Sequence, residues 1–413
     1  MSIYSPCIKI GKLGHRGITY YICDSEYPCN TIQVALVVCV GANREKHYEY
    51  GFSHLTEHMV ICSLLYPSME NDLFKDVVIH AYTNFNETVF FIQSAGNSMY
   101  SLQKCLLVAK HILDGDYLTN DSMIRAKNEV CNEFNTSSEV KADAVTKLLQ
   151  PVLGMVHLPL GKIENIYDVC YEDALKFHNK WYAASNSAII IQSDIAENKV
   201  KESLKDVFVS GLSTETPEIP MNNINQYPTI NAKPLLTNNV VSSNNSFFIS
   251  WSKRNSTQEN NMISYISFLL ALDSVKTIIE HCTMNASVTS TVDYSVEIVE
   301  RNVYLIVFSV SPGSKEAGSF LLPKIKQTEW SAEDFNRVRS QFLKAISEKH
   351  MCNDTQASAA VVNECILNFL YDEPIYDTIE ETRLLLDGAS KLNYDAVKDA
   401  IRVMITNMTQ LPL

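Results

Sequence analysis

Two histidines, His54 and His58, stand four residues apart in the stretch Gly51-Phe52-Ser53-His54-Leu55-Thr56-Glu57-His58-Met59-Val60, and Glu57 directly precedes the second. On a helix, positions four apart share one face, so both imidazoles reach a single metal ion while Glu57 projects beside them. That is the half-site of a metallopeptidase. The helix is expected from its flanks: Ser53 can cap the N-terminus, and Leu55, Met59, Cys62 and Leu65 recur at helical spacing. The same spacing also suits an ordinary buried helix whose histidines merely pack. Two histidines leave a zinc ion incomplete, because catalytic sites take three protein ligands and keep the fourth position for water.

The chain that must position these residues has 413 of them, more than one core accommodates, and two domains of about 200 residues are expected. Its 46% hydrophobic and 20% charged residues fit a globular protein, and no apolar run approaches the ~20 residues of a membrane span. A net charge of −13 argues against nucleic-acid binding, which needs a basic footprint. The same charge suits either a chamber that attracts basic peptides or general solubility. Eleven cysteines are scattered without a Cys-x-x-Cys pair, so reduced thiols are expected rather than a disulfide framework or a zinc ribbon. Cys62, four residues after His58, reads as a small buried side chain. The opening residues carry neither a secretory signal nor an Arg-rich transit peptide. A cytoplasmic chain is the expectation, with the matrix of a mitochondrion-related organelle as the alternative.

The order His-x-x-Glu-His inverts the commoner His-Glu-x-x-His and marks the inverzincins. Gly41-Ala42-Asn43-Arg44-Glu45 followed by Tyr50 to Met59 resembles the corresponding run of the pitrilysin/insulinase peptidases, the M16 family. The likeness continues through Leu158-Pro159-Leu160-Gly161, Asp173 to Tyr182 and Asn186 to Ile191, covering roughly residues 10 to 200. The resemblance implies a third zinc ligand on a second helix, and Glu133, 75 residues after His58 in Lys127-Asn128-Glu129-Val130-Cys131-Asn132-Glu133, matches it. Glu129, on the same face, is a runner-up ligand or a neighbouring acid. Ala126 stands where many members carry another glutamate that supports catalysis, a departure that bears on the rate and not on the metal ligands. His157 and His178 match no ligand position and read as structural.

Val77 to Ile92 reads as two strands across a polar loop and resembles the strand pair whose edge takes up substrate as an added β-strand. His80, Ala81, Tyr82 and Thr83 fall on that edge, with His80 where the family usually has Asn. The chain divides into 1–208, a zinc-binding catalytic domain; 209–240, a Pro-, Asn- and Ser-rich linker; and 241–413, a homologous domain without His-x-x-Glu-His. The resemblance implies an α+β fold of two homologous αβ halves, each a mostly antiparallel sheet packed with helices, and one Zn2+ per chain.

The implied function is a zinc endopeptidase that cleaves unfolded peptides in leader or precursor processing, with Glu57 as general base. The alternatives are an organellar presequence-processing subunit or a catalytically weak substrate-binding or assembly subunit. In the second half the family commonly places an arginine and a tyrosine that hold substrate. Here Tyr294 matches the tyrosine, but Ser287 stands in place of the arginine. The resemblance to the short, two-subunit branch therefore implies a heterodimer whose partner lacks the zinc motif and supplies the clamp. A monomer or homodimer using Arg301 and Tyr304 is the alternative.

Overall fold

The computed structural model describes residues 8–14, 17–24, 31–65, 76–136, 157–208, 246–253, 261–284, 290–300, 303–311, 315–349, 357–373, 375 and 378–410. The expected linker, 209–240, lies outside the described residues, as do Ser287 and Arg301.

In the first half, β1 (Ile8–Lys12), β2 (Thr19–Asp24) and β3 (Thr31–Val38) precede α1 (Phe52–Leu65). The hairpin β4 (Val77–Thr83) and β5 (Thr88–Ala95) follows, then α2 (Met99–Asp114), α3 (Asn120–Thr136), α4 (Ile163–Asp168), α5 (Tyr171–Trp181), β6 (Ser187–Ser193) and α6 (Glu197–Phe208). The strands form one sheet in the order β1-β2-β6-β3-β5-β4, antiparallel except for the β2–β6 pair.

Alternation along the central strands shows why the sheet is buried on both sides. Leu36, Val38, Ile189 and Ile191 point to one face, where α1, α2, α3, α5 and α6 close the main core. Ala35, Val37, Ala188 and Ile190 point to the other face, against Val362, Cys365, Ile366 and Leu370 from far along the chain. Strands covered on both faces read as continuous apolar runs, as β3 and β6 do.

The second half begins with β7 (Ser246–Lys253), α7 (Asn261–Met284), β8 (Thr291–Glu300) and β9 (Val303–Ser311). It continues with α8 (Lys315–Gln327), α9 (Ala332–Lys349), α10 (Ala357–Tyr371), α11 (Thr378–Lys391), α12 (Tyr394–Asn407) and β10 (Thr409–Gln410). Its sheet is antiparallel in the order β10-β7-β9-β8. These two α+β domains, with helices packed on their sheets, have the M16/LuxS-metallopeptidase architecture that the resemblance implies.

One apolar stretch exceeds the sequence expectation. Met262–Met284, 23 residues, is long and apolar enough to cross a membrane. Its Ile266, Leu270, Ala271, Val275 and Ile278 are fully buried against the second sheet, as the central helix of a core requires.

Among the described residues, the halves pack together at two clusters. α10 lies on the outer face of the first sheet, and Phe247, Ile249, Val299 and Leu305 of the second sheet pack on Ala42, Phe85 and Leu158. Asn43 and Asn86 both donate side-chain amide hydrogens to the Val299 carbonyl.

Candidate metal centre

Helix α1 enters the site through a built N-terminus. The Glu45 carboxylate accepts hydrogen bonds from the Gly51 N–H at 2.7 Å and the Ser53 N–H at 2.6 Å. The cap is therefore Glu45, not the expected Ser53. A buried carboxyl group reaching back from six residues upstream takes two of the N–H groups left over at the helix start. Gly51 has φ +101, a left-handed conformation, and a Cβ on Gly161 (φ +79) would stand 2.3 Å from the Gly51 backbone. Two facing glycines thus let the Leu160-Gly161 turn lie directly on the helix entry.

From this start, His54 and His58 fall on one face of α1, toward α3. Their rings meet edge-on, with centroids 4.7 Å apart. Glu133 on α3 places its two carboxylate oxygens 3.4 Å from His54 Nε2 and 3.4 Å from His58 Nε2. One ligand atom from each of the three residues lies within 4.8 Å of the others. A separation of 3.4 Å is long for a hydrogen bond but matches the edge of a tetrahedron with metal–ligand bonds of about 2.1 Å. Two imidazole nitrogens and a carboxylate oxygen are also a donor set that suits zinc, so the residues present fit the metal.

Glu129, one turn before Glu133, does not join this set. Its Oε2 lies 3.0 Å from His58 Nδ1, which leaves Nε2 directed at the cluster. Ala126, another turn back, is fully buried in the main core. Cys62 is buried beside Glu129, and burial pushes its thiol up to about 12.

Glu57 projects from the same helix toward β4. Its Oε2 accepts a 2.7 Å hydrogen bond from Thr83 Oγ1. Burial raises its carboxyl to about 7 against the opposing effects of His58 and Thr83. A base in that range is half-ionised near neutrality, where proton transfer is most efficient. Burial and the neighbouring His58 take His54 down to about 4. For His58, burial acts downward, but hydrogen bonding to Glu129 and the facing carboxylates outweigh it and carry the ring up to about 10. Metal binding here must displace that proton.

Thr83 is the last residue of β4, the edge strand of its sheet. Val77, Ile79 and Ala81 pack toward α1, Thr83 continues that side, and His80 faces solvent. Tyr82 turns to the opposite face, where it meets Phe91. Tyr294 on β8 is not brought to the cluster: its hydroxyl donates to Asp273 of α7 at 3.0 Å. Tyr304 is buried against Phe268. Outside the cluster, His157 stacks on Tyr50 with Nε2 3.5 Å from Glu45, and His178 bonds the Ile112 carbonyl.

Residues 21–152 match the profile described as Insulinase (Peptidase family M16), and residues 168–317 match Peptidase M16 inactive domain. The chain belongs to the M16 peptidase superfamily. Among its M16 relatives, the probable zinc protease PqqL of Haemophilus influenzae is 24% identical over 235 residues, covering 52% of this chain and 24% of that protein. The chloroplastic stromal processing peptidase of Arabidopsis thaliana is 26% identical over 227 residues, covering 52% of this chain and 18% of that protein. The chain thus matches about a quarter or less of the length of these two relatives. The crystal structure of the first half of the periplasmic protease PqqL from Escherichia coli superposes with a TM-score of 0.71 at 16% identity, covering 99% of this chain and 93% of that one.

These M16 relatives overturn the expectation of a cytoplasmic chain, because those whose names state a compartment are periplasmic or chloroplastic. The expectation rested on unpatterned cysteines and on the opening residues. Scattered cysteines report the lack of a disulfide framework, and neither feature fixes a compartment.

Two functional contributions were missed in the sequence. Glu45 stands in the family-like run Gly41 to Glu45, and its distance from the helix start hides its capping role. The bond from Thr83 to Glu57 had no sequence signal, since it joins a strand end to a helix 26 residues earlier.

Proposed function

We propose that this chain is a zinc endopeptidase that cleaves unfolded peptides in leader or precursor processing, with His54, His58 and Glu133 as metal ligands and Glu57 as general base. The observation that carries the reading is the placement of Glu57: a buried carboxylate beside the three-ligand set, held by the last residue of an open sheet edge. An extended peptide adding to β4 through backbone hydrogen bonds passes in front of that carboxylate. Bound zinc supplies a Lewis acid that polarises the scissile carbonyl and makes water nucleophilic near neutral pH. Glu57 takes the proton of the attacking water and passes it to the leaving amine. The names of the relatives, a zinc protease and a processing peptidase, support this class.

Glu57→Gln keeps the shape and the Thr83 contact but removes the base. Turnover of a quenched peptide library falls by about 10³-fold or more while one zinc per chain is retained. Loss of zinc together with activity would overturn this division of roles.

The partner reading rests on Tyr294. Its hydroxyl is engaged by Asp273, and Ser287 stands where the clamp arginine is expected. We therefore assign the substrate clamp to a second, homologous chain that lacks His-x-x-Glu-His. The chain purified alone is expected to cleave slowly, with at least about tenfold gain on adding a co-encoded homologue. Full activity alone, unchanged by any such homologue, refutes the heterodimer.

A further inference from the structure

We propose that Cys23 and Cys365 form an oxidisable pair, a disulfide site that fastens the C-terminal half onto the sheet carrying the metal centre. Their sulfurs lie 3.7 Å apart although the residues are 342 positions apart in the chain. Cys23 is on β2, and Cys365 is on α10, the helix from the second half that covers the outer face of that sheet. Both are free and buried, at 2% and 0% exposure.

The pairing is set by more than apolar packing. Two residues before Cys23 on the same face of β2, the Tyr21 hydroxyl donates to Asn368 Oδ1 at 2.7 Å. Asn368 lies one turn after Cys365 and donates its own amide to the Glu373 carbonyl. This directional bond fixes where α10 lies along β2. Hydrogen bonds alone need no thiols in the adjacent position. Disulfide sulfurs are about 2.05 Å apart, so bonding requires an approach of about 1.7 Å, within reach of side-chain rotation and a small helix shift.

The reaction needs an oxidant of the disulfide class, such as oxidised glutathione. One cysteine thiolate attacks the oxidant's disulfide and releases one thiol, leaving a mixed disulfide. The second cysteine, as thiolate, attacks that bond and releases the other thiol. Two protein S–H bonds become one S–S bond, and two electrons and two protons pass to the oxidant, which leaves as two thiols. Both sulfurs are covered once α10 docks, so exchange occurs while the helix is lifted or before it first docks. The finished bond is shielded from reduction by the same packing. It forbids large separation of α10 from the sheet and closes a loop of most of the chain.

The full chain is refolded and held either in oxidised glutathione or in dithiothreitol, then alkylated under denaturing conditions and mapped without reduction. The oxidised sample is expected to yield one cross-linked peptide joining Cys23 to Cys365, and a melting temperature about 5 °C above the reduced sample. Cys365→Ser and, independently, Cys23→Ala are each expected to abolish that difference. Complete alkylation of both cysteines after refolding in oxidant, joining of either to another cysteine, or an unchanged melting temperature despite the cross-link would each overturn the proposal. None of these readouts involves zinc or peptide cleavage, so the result is independent of the proposed activity.

Discussion

His58 shows how one side chain can be aimed by its neighbours. Its two ring nitrogens are distinguished by what each faces: Nδ1 meets Glu129 at 3.0 Å, and Nε2 points to the position shared with His54 and Glu133. Donation of Nδ1–H to a carboxylate fixes the tautomer and makes Nε2 a better ligand. Glu129→Gln retains a hydrogen-bond acceptor but loses the charge. Zinc affinity, measured by competition with a chromogenic chelator, is expected to fall about 10- to 100-fold with the fold intact. An unchanged affinity means that packing alone orients the ring. Ala126 leaves Glu129 as the acid that α3 brings to this side of His58.

At the scale of the element, the entry of α1 decides whether two histidines four apart become ligands. Glu45 is buried, and burial raises its carboxyl to about 8 even though it accepts hydrogen bonds from Gly51 and Ser53. The native state holds a proton that the unfolded chain releases near the ordinary value of 4.5, so the associated stability is full below that value and is lost as pH rises through about 8. Glu45→Gln keeps an acceptor for the helix N–H groups but does not titrate. Between pH 5 and 8 the wild type is expected to lose stability relative to this variant, on the order of 1 kcal/mol or more, read from urea midpoints at the two pH values. Parallel pH dependence of the two proteins would show that Glu45 is ionised throughout.

For the whole molecule, the metal set ties α1 to α3, two elements separated in sequence by the β4–β5 hairpin and α2. Any ion that binds only the native arrangement stabilises it by mass action, by about 4 kcal/mol at a thousandfold excess over Kd. Chelation is therefore expected to lower the melting temperature by several degrees, with recovery on adding zinc but not magnesium, which prefers oxygen ligands. A melting curve unaffected by chelator would show that the three side chains hold no metal. The second half has its own core, so its unfolding is expected to respond less.

Short-range periodicity and residue chemistry carry what is legible in the chain before it folds. The His54/Glu57/His58 face follows from helical spacing. Apolar patterns place strands over Ile18–Cys23, Thr31–Val40 and within Tyr294–Val310, and helices over Met262–Glu280 and Ala332–His350. Glu133 was legible only through resemblance, because nothing local distinguishes it from a solvated glutamate on an amphipathic helix. Tertiary structure decided which acid caps α1, which hydroxyl holds Glu57, and where the Tyr294 hydroxyl turns. It also decided that α10 covers the first sheet and not its own. Each of these depends on groups brought together from distant parts of the chain. Hydrogen bonds and close packing form only when position and angle agree to a fraction of an ångström, and the spacing of residues along the chain does not encode that agreement.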